Sequence, residues 1–299
     1  MNGNSLKEIL DCMYRNRSIH HMQNDPVSFP RRYENRLDRE IAALIASVFA
    51  YGAVPVIFRS LEKIFSETGA SPRKYVERFD PERGVAIFSG FRHRFNDARD
   101  LSALLWGARM MIEDSGSIND FFLKNHDPEG NDIAGSLNVF SSSVLSFDYS
   151  LVFRSPSIPS DSYFSFLFPS PASGSACKRL CMFLRWVVRP DDGIDMGLWH
   201  GVSPAMLLIP LDTHIRRISS YLGLSSRKTA DWKMAREITD ALRAFDPEDP
   251  VKYDFSLAHT GITEGCDGSN ISLCERCALA PVCRQSILAG FHRKTPTLE

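Results

Sequence analysis

The chain of 299 residues is 43% hydrophobic and 24% charged, enough to bury a sizeable core in one large or two ordinary domains, which excludes a disordered or fibrous protein. Its formal net charge of -1, from 35 Lys and Arg against 36 Asp and Glu, excludes a grossly basic coat protein. Any anionic partner must be met by a local patch. The start, MNGNSLKEILDCMYRNRSIHH, has no apolar stretch of signal-peptide length behind a basic segment, so a cytoplasmic protein is expected.

Residues 41–58 form an uncharged run near membrane-spanning length, but Gly52 and Pro55 interrupt it. Leu37, Ile41, Leu44, Ile45, Val48 and Phe49 recur at three- and four-residue steps. That pattern predicts a core helix at about 36–51 followed by a turn, with no membrane association. Ser71-Pro72 has the cap-then-proline form of a helix start, and GFRHRFN at 90–96 reads as an exposed basic turn. Asn96 or Asp97 caps a helix carrying Leu101, Leu104, Leu105, Ala108, Met111 and Ile112 on one stripe.

Residues 141–175 hold thirteen serines and seven aromatics, and read as irregular, partly packed chain linking two helical regions. A basic helix follows at 174–189, where Lys178, Arg179, Arg185 and Arg189 supply four positive charges and no negative ones. Such a face suits phosphate contacts, or is simply solvated. Asp212 stands where a helix ending at Gly223 begins, as an N-cap does. Thr229 precedes a further segment through Trp232, Ala235, Ile238, Leu242 and Phe245. No series of alternating strands is evident, and the predicted fold class is all-α.

Seven cysteines in a chain without an export signal do not suit a disulfide framework. Four of them, Cys266, Cys274, Cys277 and Cys283, fall within eighteen residues with gaps of seven, two and five. Thiolates gathered this closely repel one another unless a soft cation neutralises them. A compact run with only one C-x2-C pair suits a [4Fe-4S] cluster better than structural zinc, which remains the alternative.

Leu211-Asp212-Thr213-His214, followed by Arg217, together with the C-terminal cysteine run, resembles the helix-hairpin-helix DNA glycosylases of the endonuclease III-like and 8-oxoguanine glycosylase superfamily. The stretches RWVVRPDD, PLDTH and DPEDPVKYDF also look like an uncharacterised bacterial family associated with it. The match covers roughly residues 165–285 and departs in two places. Where typical members carry an L-P-G-V-G hairpin, this chain reads FPSPASGSACK, with Gly174 alone. Lys178 and Asp212 are 34 residues apart, nearly twice the spacing in endonuclease III-like enzymes, and the archaeal 8-oxoguanine glycosylase group is similar in being lengthened there.

The resemblance implies a two-lobed fold, with a helical-barrel lobe at 36–200 carrying Lys178. The second lobe, 1–35 plus 201–290, carries Asp212 and the iron-sulfur loop, and 291–299 is a tail. It implies a monomer acting on double-stranded DNA with a damaged base, an oxidised purine such as 8-oxoguanine being favoured. Lys178 would be the nucleophile and Asp212 would stabilise charge on the sugar. Gly174, Arg179, Arg185, His214 and Arg217 would contact DNA, and Cys266, Cys274, Cys277 and Cys283 would ligate the cluster. The alternatives are a glycosylase in which Asp212 activates water, and a nucleic-acid-binding protein without catalysis.

Overall fold

A computed structural model describes residues 3–17 and 19–289. The tail expected at 291–299 lies outside the described residues. The chain forms α1 (Gly3–Arg15), α2 (Arg36–Val48), α3 (Val54–Thr68), α4 (Pro72–Glu77) and α5 (Pro81–Ile87). A small antiparallel hairpin follows, β1 (Arg92–His93) and β2 (Asn96–Asp97), with His93 opposite Asn96. Then come α6 (Ala98–Ser115), α7 (Ile118–Leu123), α8 (Ala134–Leu145), α9 (Ser150–Phe153) and α10 (Lys178–Val188). The last are α11 (Thr213–Leu222), α12 (Trp232–Arg243), α13 (Asp254–Ile262) and α14 (Arg284–Leu288). The described residues are all-α apart from that one hairpin, and no helix among them is long and apolar enough to cross a membrane.

Local chemistry sets the helix starts. Asn35 accepts from the amides of Leu37 and Asp38 to open α2, and Asp97 closes a reciprocal capping box with Asp100 at the start of α6. The uncharged run splits because α2 ends at Val48, the chain turns at Gly52 with φ +98°, and Pro55 sits in the first turn of α3. Three sequence readings need correction. The cap of α12 is Asp231, which accepts from Met234 N, rather than Thr229. The basic turn at 90–96 is the β1–β2 hairpin. Residues 141–175 are more regular than their composition suggests, since they hold the end of α8, all of α9 and two 3-10 turns.

A single cluster of buried apolar side chains runs from Leu6 to Val282. Within it α10 packs along α2, α11 along α13, and α1 against α13 and the 3-10 turn Pro250–Tyr253. Two acidic side chains make α2 a hub. Asp38 accepts from Ser71 Oγ (2.7 Å) and Arg73 N (2.9 Å) at the start of α4. Glu40, 2% exposed, accepts from the amides of Ile118 (3.1 Å) and Asn119 (2.9 Å) at the start of α7, and from Trp199 Nε1 (2.7 Å). Burial pushes the Glu40 carboxyl above its ordinary range, while those three donors favour its charged form. Glu40→Ala strands all three donors and is expected to cost about 3–5 kcal/mol in urea unfolding, with Glu40→Gln costing less. A loss under about 1 kcal/mol would show that Glu40 does not hold α7.

Candidate active site

Two left-handed residues steer the chain into α10. Gly174 has φ +80° and Cys177 has φ +47°, and Lys178 is the first helical residue. The segment ahead of it contains 3-10 turns at Phe164–Leu167 and Pro171–Ser173, so no pair of α-helices flanks a hairpin here. Gly174 is exposed, and its carbonyl accepts from Trp232 N (3.3 Å), which fastens the turn to α12. The half-buried Lys178 donates from Nζ to Ala50 O (3.2 Å), past the end of α2.

Asp212 opens α11 as its N-cap, with Oδ1 accepting from His214 N and Ile215 N at 2.8 Å each. One oxygen thereby fixes the helix start and the side chain is held in place. Lys178 and Asp212, from helices 34 residues apart in sequence, line the same cleft of about 680 Å³. Its walls also include Tyr51, Gly52, Phe166, Arg185, Asp254 and His259. His214 reaches it as well, packed so closely on α13 that a Cβ at Gly261 would meet its Nδ1 at 2.4 Å.

The arginines that follow Lys178 are not a surface patch. From Arg179 to Val188 every residue of α10 is buried. Arg179 donates to Val48 O (2.7 Å) and Phe166 O, and lies 4.0 Å from the Phe166 ring centroid. Burial, with no carboxylate beside it, lowers its guanidinium to about 10. Arg185 pairs with Asp195 (3.1 Å) and Asp254, and Arg189 with Asp195, Asp192 (3.1 Å) and Asp249 (2.9 Å). The exposed basic face expected of Arg179 and Arg185 is therefore corrected: both are buried and their guanidinium groups serve interior acceptors, although both line the cleft. The sequence window showed four cations and no anions because every anion is supplied from other segments.

Asp254, which sequence reasoning missed, is the most informative of those anions. It is 4% exposed, lines the cleft, and has one oxygen paired to Arg185 while Oδ1 has no hydrogen-bond partner. Burial and the nearby Asp212 outweigh Arg185 and push its carboxyl up to about 6. For Arg185 the balance is opposite: burial disfavours its charge, but Asp195 and Asp254 hold it above the ordinary value. The only sequence signal was the segment DPEDPVKYDF itself, whose acids look like solvent-facing charges.

Arg217 does not line the cleft. It donates to Cys266 O (2.6 Å) and contacts His214 Nδ1 (3.2 Å). Cys266, Cys274, Cys277 and Cys283 are half-buried and line one cavity of about 430 Å³, with Tyr221, Thr260 and Gly268. Burial raises the Cys277 thiol to about 11, and it raises Cys266 as well, with Cys283 and Cys274 adding to the shift. Among the described residues no three His, Cys, Asp or Glu side chains are gathered as for a single metal ion. Trp186, Trp199 and Phe91 belong to the core, and Trp106 is held at Asp148 O, so none of the four lines the cleft.

Arg185→Met leaves Asp195 and Asp254 without their shared cation, and is expected to lower stability by about 3–5 kcal/mol at pH 7 in urea unfolding. Folded-state carboxyl pKa values raised above the unfolded ones mean the penalty is relieved as pH falls, so the loss should be smaller at pH 5. A deficit that widens in acid would contradict this account.

No curated protein and no solved structure matches the chain. One family does, over a span that takes in Lys178, Asp212 and Asp254 and stops short of Cys266. Residues 25–263 match the family described as Protein of unknown function (DUF2400), and the chain belongs to that family.

Proposed function

We propose that the protein is a base-excision DNA glycosylase with lyase activity, acting on double-stranded DNA that contains a damaged base, an oxidised purine such as 8-oxoguanine first among them. The observation that carries this reading is the meeting of Lys178 and Asp212 on one cleft. A helix-hairpin-helix glycosylase-like fold with an iron-sulfur loop is part of the same proposal. With 3-10 turns ahead of α10, this reading assigns the grip on phosphate to something other than a typical hairpin.

In the proposed reaction Lys178 Nζ, as the neutral amine, bonds to C1′ of a flipped nucleotide while the C1′–N bond breaks and the base leaves with a proton. Asp212, held by its cap bonds, stabilises the positive charge that gathers on the sugar ring. The sugar opens to an iminium, loses a 2′ proton, and expels the 3′ phosphate by breaking the C3′–O bond. Water then releases the lysine. Asp254 stands beside this pair as a second carboxyl able to hold a proton near neutral pH.

The donor set Cys266, Cys274, Cys277 and Cys283 fits a [4Fe-4S] cluster, and the spread of its thiols around a cavity supports a cluster over one zinc ion. When bound, such a cluster supplies a rigid, redox-capable body tying the four cysteines together. Metal analysis of anaerobically purified protein is expected to return iron and sulfide in a ratio of about 1:1. Stoichiometric zinc without sulfide would replace the cluster with the zinc alternative.

Borohydride trapping on duplexes bearing 8-oxoguanine, an oxidised pyrimidine, uracil or an abasic site tests the chemistry. A covalent band on a damaged duplex is expected for the wild type and none for Lys178→Gln. Asp212→Asn retains an acceptor for the cap and should slow trapping on the order of 100-fold. Base release without any trapped species would reassign Lys178 and leave Asp212 to activate water. No base release and no band on any duplex would remove the catalytic proposal.

A further inference from the structure

At the rim of the cleft, three large aromatic side chains stand in the open, two of them beyond its walls. Phe95 and Tyr163 are each 47% exposed and Phe166 is 43% exposed. They form a continuous ledge: the Phe95 and Tyr163 rings stack at 5.2 Å and 24°, and Phe95 meets Phe166 edge-on at 6.5 Å. Phe166 meets Tyr51 edge-on at 5.2 Å, and both of these line the cleft that holds Lys178. Rings of this size cost free energy in water unless something covers them.

The ledge is held from behind. Tyr51 donates its hydroxyl to Asn96 Oδ1 (2.5 Å), and Asn96 donates to Asp100 (2.9 Å) and Tyr163 O (3.0 Å). His93, fully buried, contacts Ser60 Oγ (2.8 Å) and Tyr51 O (3.0 Å) through its two ring nitrogens. These bonds fix the β1–β2 hairpin, whose turn residues are Arg94 and Phe95. Arg94 takes a left-handed φ of +54°, and its side chain crosses Gly52 at the cleft, where a Cβ would come within 2.9 Å of Arg94 Cδ.

The charge beside the rings selects the occupant. Arg92 and Arg94 are exposed, and neither forms an ion pair among the described residues, while the Arg94 guanidinium lies 5.4 Å from the Phe95 ring centroid. Arg92 spends only its Nε, on Arg94 O (3.2 Å), so both guanidinium groups keep donors facing solvent with no acidic partner among the described residues, and interleaved with flat, exposed rings they match a chain of phosphates carrying flat, apolar-faced bases. An apolar protein face would leave those charges desolvated and unpaired.

We infer that Phe95, Tyr163 and Phe166, with Arg92 and Arg94, form a binding surface for unpaired nucleobases of a single-stranded or locally opened nucleic acid, running into the cleft. Bases stack on the rings and the flanking phosphates pair with the arginines. This rests on the nucleic-acid partner of the proposed function but not on its lysine chemistry.

Fluorescence anisotropy with an oligothymidylate of about twelve nucleotides, and with a base-free sugar-phosphate chain of equal length, separates stacking from charge. The wild type should bind the base-bearing strand at least about tenfold more tightly. The double variant Phe95→Ala/Tyr163→Ala, whose thermal unfolding is checked to be native-like, should lose most of that preference. Arg94→Ala should weaken both ligands and reduce the salt slope by about one. Equal affinity for the two ligands, or a double variant within about twofold of the wild type, overturns the inference. So does an absence of binding accompanied by self-association that the double variant abolishes, which would make the ledge a contact between copies. Base-dependent binding in a protein that never traps DNA would keep the ledge and discard the lysine mechanism.

Discussion

The interior ionic cluster centred on Arg185 and Arg189 is the constraint on which the rest depends. Both side chains are under 5% exposed, and their carboxylates come from the 190–199 loop, the turn before α13, and α13 itself. The N-terminal helix joins through Tyr14, whose hydroxyl contacts Asp192 (3.0 Å), and the residues after it through Arg17, which pairs with the same carboxylate (2.8 Å). Charges this deep are tolerated only when paired and hydrogen-bonded from several sides. That need brings three segments, 14–17, the 190–199 loop and 249–254, together at the end of one helix. Because Lys178 begins that helix and Asp254 opens α13, the same convergence sets the wall of the cleft.

Around this cluster the fold repeats one device, an acidic side chain that closes the amide end of a helix, whether its own or a neighbour's. Glu40 serves α7, Asp38 serves α4 and Asp97 serves its own helix α6. Asp212 uses the device at the cleft, with Oδ1 alone accepting from both amides of the first turn. A cap residue costs nothing extra to hold in place, since the helix orients it. The same bonds that start the helix therefore fix a carboxylate on the cleft that Lys178 also lines.

How much could be read from the chain follows from the range of the forces involved. Helix periodicity and caps act over three or four residues, so α2, α6 and α11 are legible from Leu44, Asp97 and Asp212 and their neighbours. The cysteine spacing is also local. The burial of Arg179 and Arg185 was not legible, because their partners lie at Val48, Asp195 and Asp254, up to 131 residues away. The Phe95–Tyr163 ledge was hidden for the same reason, the two rings coming from a hairpin and a serine-rich stretch. Composition placed Tyr163 in a partly packed segment and Phe95 in an exposed basic turn, and nothing local told that the two exposed rings stack on each other.

Helix α11 joins two sites that are otherwise separate. Its first turn carries Asp212 and His214. Its later turns meet the cysteine loop through Arg217 at Cys266 and through Tyr221, whose hydroxyl would collide with any Cβ at Gly268. A ten-residue helix spans about 15 Å and bends little. The cysteine loop and the cleft carboxylate are thus seated on one short, stiff rod, and the packing of the loop against its later turns helps fix where its first turn stands.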